Sequence, residues 1–131
     1  MKGHLNSVND YYNFFNNLNE NKFKYKDNFL ISDGVFEVAG TEEFFWIIEI
    51  IFNHQQFVKN EKFQSWNIEI TDNNKLQIIA KNIREEVLLN FAVLNKNFTF
   101  RNWKVWVDDN LLLLPSENCN LQKKEFLRFY S

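Results

Sequence analysis

The side chains best suited to chemistry fall in residues 31–56, ISDGVFEVAGTEEFFWIIEIIFNHQQ. Asp33, Glu42, Glu43 and Glu49 lie there with His54, one of only two histidines. A carboxylate in reach of an imidazole can do general acid–base work, because the acid orients the ring and neutral imidazole takes a proton near pH 7. The spacing forbids that pair within one helix. At 100° per residue His54 projects about 140° away from Glu49, and Glu43, which shares its side, lies roughly 16 Å along the axis. His54 near a helix C-terminus reads instead as a dipole-complementing group, and Asp33-Gly34 as the start of a helix.

Other reactive combinations are weaker. A zinc site needs three or four ligands at characteristic spacing, and His4, His54 and Cys119 are too few and too scattered. Gly3, Gly34 and Gly40 make no phosphate-binding loop. Cys119 with His54 would form a thiol nucleophile pair only if folding joined them. Asp108 and Asp109 are strand neighbours and point apart. The sequence therefore reads as a non-enzyme that needs no metal or cofactor. An enzyme whose residues converge only in three dimensions, such as His54 with Asp33 or Glu49, is the lesser alternative.

Binding chemistry is better represented. KFKYK (residues 22–26) alternates Lys22, Lys24 and Lys26 with Phe23 and Tyr25. An extended chain puts the ammonium groups on one side and the rings on the other, a mixture suited to phosphate contact and base stacking. QKKEFLRFY near the C-terminus repeats it with Lys123, Lys124 and Arg128. Trp106 shares a strand face with Lys104 and Asp108, while Val105 and Val107 face the other way. Taken alone, each segment reads more simply as solvated lysines over core rings. The candidate partner- or RNA-binding residues are Lys22, Lys24, Tyr25, Lys26, Lys104, Trp106, Lys123, Lys124 and Arg128.

The elements that must position them follow from periodicity. Ser7 with Asp10 resembles a capping box ahead of a helix over residues 8–19. Ser32 or Asp33 caps a short helix ending near Gly40, and Thr41 caps the main one, which runs to about Gln56. From Phe63 the period changes to two. Strands start at Phe63, at LQIIAKNI, at VLLNFAVL, at NWKVWV and at LLLL (111–114), with TDNNK and Asp108-Asp109-Asn110 as turns. A last helix is expected over residues 120–129. This describes an α+β domain with N-terminal helices on one face of a roughly five-stranded antiparallel meander.

At 131 residues the chain is expected to be a single domain: a helical half (1–58), an antiparallel sheet (62–114) and a C-terminal tail or helix (115–131). Hydrophobic residues at 45% and aromatics at 18% exclude a disordered chain. A formal charge of −2 means that any nucleic-acid contact must come from a local patch. One cysteine cannot staple a secreted fold, and no apolar run approaches the roughly 20 residues of a membrane-spanning helix. The expectation is a soluble, cytoplasmic protein.

SDGVFEVAGTEEFFWIIEIIFNHQ, EKFQSWNIEI and VWVDDNLLLLPSE together resemble an uncharacterised family of small bacterial and phage proteins. Its members show an acid-Gly-Val start, a Trp-bearing apolar helix ending near a Gln, a Phe-Gln-x-Trp strand start and a Leu-Leu-Pro-Ser-Glu close. The likeness covers about residues 29–117 and departs at Phe36, where family members tend to carry Lys. It implies a compact α+β unit carried on mobile elements and supplies no catalytic residues. Small acidic proteins of that origin are often inhibitors of bacterial defence. The expected function is thus an anti-CRISPR-type inhibitor binding an RNA-guided effector, such as a type VI CRISPR nuclease, or its guide RNA. The alternative is a protein-only or immunity-type module.

Overall fold

The computed structural model describes residues 7–12 and 22–117. In chain order the elements are α1 (Val8–Tyr11), β1 (Lys22–Lys26), β2 (Phe29–Ser32), α2 (Asp33–Glu42), α3 (Phe45–Asn53), α4 (Gln55–Val58), β3 (Phe63–Ile70), β4 (Lys75–Lys81), β5 (Val87–Leu94), β6 (Asn102–Asp108), β7 (Leu111–Leu113) and a 3-10 turn (Pro115–Glu117). The class is α+β. Ser7 caps α1 by accepting the Asp10 N–H at 3.0 Å. The expected continuation of that helix and the expected helix over 120–129 lie outside the described residues.

The five strands anticipated between residues 62 and 114 all form, but not as a meander. The sheet has seven strands in the order β1-β2-β7-β6-β3-β4-β5, so β6 returns to pair with β3 instead of extending beyond β5. It is mixed, because β2 runs parallel to β7, with Leu30 opposite Leu111 and Ile31 opposite Leu112. Burial explains the order. With a strand on each side, the inward Trp66 and Ile68 of β3 are fully buried beneath the helices. The 95–101 connection carries Phe98 and Phe100 into the core against Phe44, with centroids 5.1 and 6.2 Å away. Anchoring those rings returns the chain past the β3–β4 hairpin, where the Ile70 N–H donates to the Arg101 carbonyl. KFKYK and the segment after it, absent from the five-stranded expectation, add β1 and β2.

Helix boundaries move as well. Thr41 does not cap a helix; it lies inside α2, which runs to Glu42. The break falls at Glu43, in the left-handed region at φ 61°. Asn97 donates to the carbonyls of both Glu42 and Glu43 at 3.0 Å, satisfying acceptors that the helix end leaves open. What the break gains is burial of the Phe44 ring. Gly40 lies within α2, two residues before its end.

Two polar locks tie the helices to the sheet. In the first, the buried Glu117 carboxylate accepts from the Ser32 hydroxyl at 2.5 Å, the Gly34 N–H at 2.7 Å and the Leu114 N–H at 2.8 Å. It sits at the positive end of α2, where Ser32 also accepts the Val35 N–H. In the second, Gln55 and Gln64 exchange amide hydrogen bonds at 2.9 and 3.0 Å, and the Trp66 indole donates to Gln64 at 2.9 Å. The first joins segments 83 and 85 residues apart, and the second ties α4 to the start of the strand that follows it.

A Cβ on Gly34 would stand 2.6 Å from the Glu117 carboxylate, which can withdraw only by giving up its three donors. Gly34→Ala and Glu117→Ala should each cost about 1–3 kcal/mol. The double variant should cost clearly less than their sum, since without the carboxylate the added methyl has room. Urea midpoints at unchanged m-value measure this.

Candidate functional site

Glu49 and His54 each have partners within the fold. Glu49 accepts from the Tyr25 hydroxyl, from Lys26 Nζ at 3.0 Å to both oxygens, and from Asn53. The Tyr25 bond, then the Lys26 bond, hold its carboxyl below the usual range. Burial first and the Glu49 bond second push the Tyr25 phenol well above its ordinary value. His54 Nδ1 lies 2.8 Å from the Ile50 carbonyl, and its ring stacks on Phe91 at 4.3 Å. The carbonyl contact requires the Nδ1–H tautomer. The structure therefore brings neither Asp33 nor Glu49 to His54. Among the described residues, no group of three or more His, Cys, Asp or Glu side chains could hold a metal ion. Cys119 lies outside them.

The binding candidates divide by strand register. Lys22 stands opposite Ser32 and Lys24 opposite Leu30. Leu30 shares its face with Leu111, and Leu113 stands opposite Trp106. Trp106 in turn faces Ser65, and Lys104 faces Asn67. Side chains directly opposite in a sheet point the same way, so Lys22, Lys24, Lys104 and Trp106 share the sheet face that the helices leave open. Lys26 does not join them. A bulge between Lys24 and Lys26 puts Lys26 opposite Phe29, a residue of the helix side, and there it meets Glu49. Phe23 and Tyr25 also turn inward: Phe23 stacks on Phe36 at 4.2 Å and Tyr25 lies edge-on to Phe52 at 5.7 Å. Lys123, Lys124 and Arg128 lie outside the described residues.

Around Lys104 and Trp106 the open face dips into a shallow groove of about 370 Å³, also lined by Ser65, Asn67, Ile79, Lys81, Glu85 and Pro115. Trp106 is half-buried, edge-on to Phe63 at 5.3 Å. Lys104 is held from behind. The Asn9 side chain accepts its N–H at 2.7 Å and donates to its carbonyl at 2.8 Å. One amide thus stands in for the strand that β7 is too short to provide, and it seats α1 against β6. Lys81 and Lys75 were missed by the sequence reading. Their signal was the period-two alternation of β4, which placed them on one face without saying which strands shared it.

Charge is segregated between the layers. Residues 33–58 carry Asp33, Glu37, Glu42, Glu43 and Glu49 with no lysine or arginine. The open face presents Lys22, Lys24, Lys75, Lys81 and Lys104 against Glu69, the largely buried Asp108 and the groove-lining Glu85, which pairs with Lys81 at 3.9 Å. A near-neutral chain is therefore acidic over its helices and basic over its exposed sheet.

Residues 7–118 match the family of unknown function DUF6876, and the chain belongs to that family. No curated protein and no solved structure matches it. No described helix is long and apolar enough to cross a membrane.

A pH prediction comes from Glu49. Its folded-state pKa is depressed, so its stabilisation is present above the ordinary value of 4.5 and is lost as pH falls through the folded value. Tyr25→Phe removes the first cause of the depression. Below about pH 4.5, wild type should therefore lose more of its urea midpoint than the variant does, and the two curves should converge in acid. Parallel curves would mean that the phenol bond is not what holds the carboxyl down.

Proposed function

We propose that this DUF6876 member is a non-enzymatic, inhibitor-type binding protein that applies the open face of its sheet to the RNA of a ribonucleoprotein. The observation that carries the reading is the separation of charge, with Lys22, Lys24, Lys75, Lys81 and Lys104 turned one way and the acidic helical layer the other. Lysines that neutralise phosphates release condensed counterions, which supplies affinity without base recognition. Trp106, partly exposed beside Lys104, offers a platform for one unpaired base. The acidic layer repels phosphate and so orients the approach. What suggests an RNA-guided nuclease effector, and a type VI CRISPR enzyme or its guide RNA in particular, is the likeness to proteins of mobile elements. Inhibition would follow from occupancy of the effector, with no reaction on this chain.

The test is an affinity titration against an effector–guide complex across a salt series. Lys24→Glu with Lys104→Glu should weaken binding uniformly and lower the salt slope by about one per lost phosphate contact. Trp106→Ala should cost about 1–3 kcal/mol with the slope unchanged. Lys26→Glu should do little, because that ammonium is already engaged by Glu49. Binding that resists both RNase and salt would replace this reading with a protein-only module.

A further inference from the structure

The two edges of the sheet are built on opposite principles. β1 carries Lys22, Lys24 and Lys26, all exposed, and like charges along an edge keep a second copy of that edge away. β5, at the far edge, reads VLLNFAVL: eight residues with no charge and no proline. It pairs only with β4 among the described residues. The Asn95 N–H donates to the carbonyl of Asn74, the residue opposite it. The alternation of an antiparallel ladder then turns the N–H and C=O groups of Asn90, Ala92 and Leu94 outward, into the free edge.

Exposed apolar side chains lie along the same strand, on both of its faces. Among the described residues, three large hydrophobic side chains are more than half exposed: Leu94 (69%), Phe57 (66%) and Val87 (57%). Val87 and Leu94 are the two ends of β5, and Phe57 adjoins His54, whose ring stacks on Phe91 of β5. An uncharged strand edge thus carries exposed apolar side chains at both ends, with Phe57 near its middle on the helix side.

We propose that β5 is the contact surface for a second copy of this chain, with two β5 strands pairing antiparallel across a two-fold axis into one continuous sheet. The strand's sequence, the symmetry of antiparallel pairing and the register it allows favour a second copy. The strand has no charge with which to choose a charged partner. Antiparallel pairing about a two-fold sets this strand against itself, so one self-compatible sequence suffices. With Phe91 at the axis, Leu89 faces the partner copy's Val93 and Asn90 faces its Ala92, so apolar meets apolar on the helix side. The assembly also stops at two, because the edges left outside are the lysine-bearing β1 strands.

Sedimentation velocity of the full chain over a broad concentration series tests this. The wild-type mass should rise from one chain toward two. Val87→Lys with Leu94→Lys sets like charges at the contact on side chains already mostly in solvent, and should hold the mass at one chain with an unchanged melting temperature at low concentration. Ala92→Pro removes an outward N–H that the chain's own sheet does not use, and should do the same. Amide exchange at Asn90, Ala92 and Leu94 should slow as the wild type is concentrated. A wild type that stays monomeric throughout, including one whose edge instead takes up an extended peptide of another protein, would overturn the proposal. So would a dimer that survives both sets of substitutions.

Discussion

A buried carboxylate with nowhere else to go organises this fold. Glu117 is 1% exposed, and an ionised acid at that depth is tolerable only when its oxygens are fully occupied. Ser32, Gly34 and Leu114 occupy them, and the dipole of α2 adds its positive end. The three donors come from the end of β2, the first turn of α2 and the residue after β7. Satisfying one charge therefore sets β2 beside β7 and aims α2 back over the sheet. The parallel pairing in an otherwise antiparallel sheet is the visible result.

Seen this way, the motifs behind the family likeness are structural. Acid-Gly-Val at residues 33–35 and Pro-Ser-Glu at 115–117 meet in the Glu117 lock. The Gln that closes the apolar helix and the Phe-Gln-x-Trp strand start meet in the Gln55–Gln64–Trp66 network. Each lock satisfies polar groups that burial would otherwise leave costly, and such networks specify one arrangement more sharply than apolar packing does. Their side chains are used up in doing so. Chemistry directed at a partner has to come from elsewhere, and the open sheet face is where polar and basic side chains remain at the surface.

That face exists because the helices cover only one side of the sheet. An antiparallel sheet can leave one face in water if its strands alternate, and β3, β4 and β6 do so. The alternation sends apolar residues under the helices and lysines, asparagines and Trp106 outward. With the helical residues carrying five carboxylates and no lysine or arginine, the two faces acquire opposite character from a chain whose net charge is only −2. An average over the chain hid what the layering separates.

Local patterns determined a good deal alone. Period-two stretches located β3 to β7, Ser7 and Ser32 announced helix starts, and Asp109-Asn110 and Asn74 adopted the left-handed turn conformations their side chains tolerate. The grouping of Lys104 with Trp106 was legible for the same reason, since residues two apart on a strand share a face. Strand order, the parallel β2–β7 pair and the break at Glu43 were not legible. Each depends on a contact between distant segments: Glu117 with Gly34, the Phe98 and Phe100 rings with Phe44, and Asn97 with the carbonyls of Glu42 and Glu43. Periodicity reports which way a side chain points within its own element. Which elements become neighbours is settled by the burial and hydrogen-bond needs of residues far apart in the chain, and only the folded molecule brings those together.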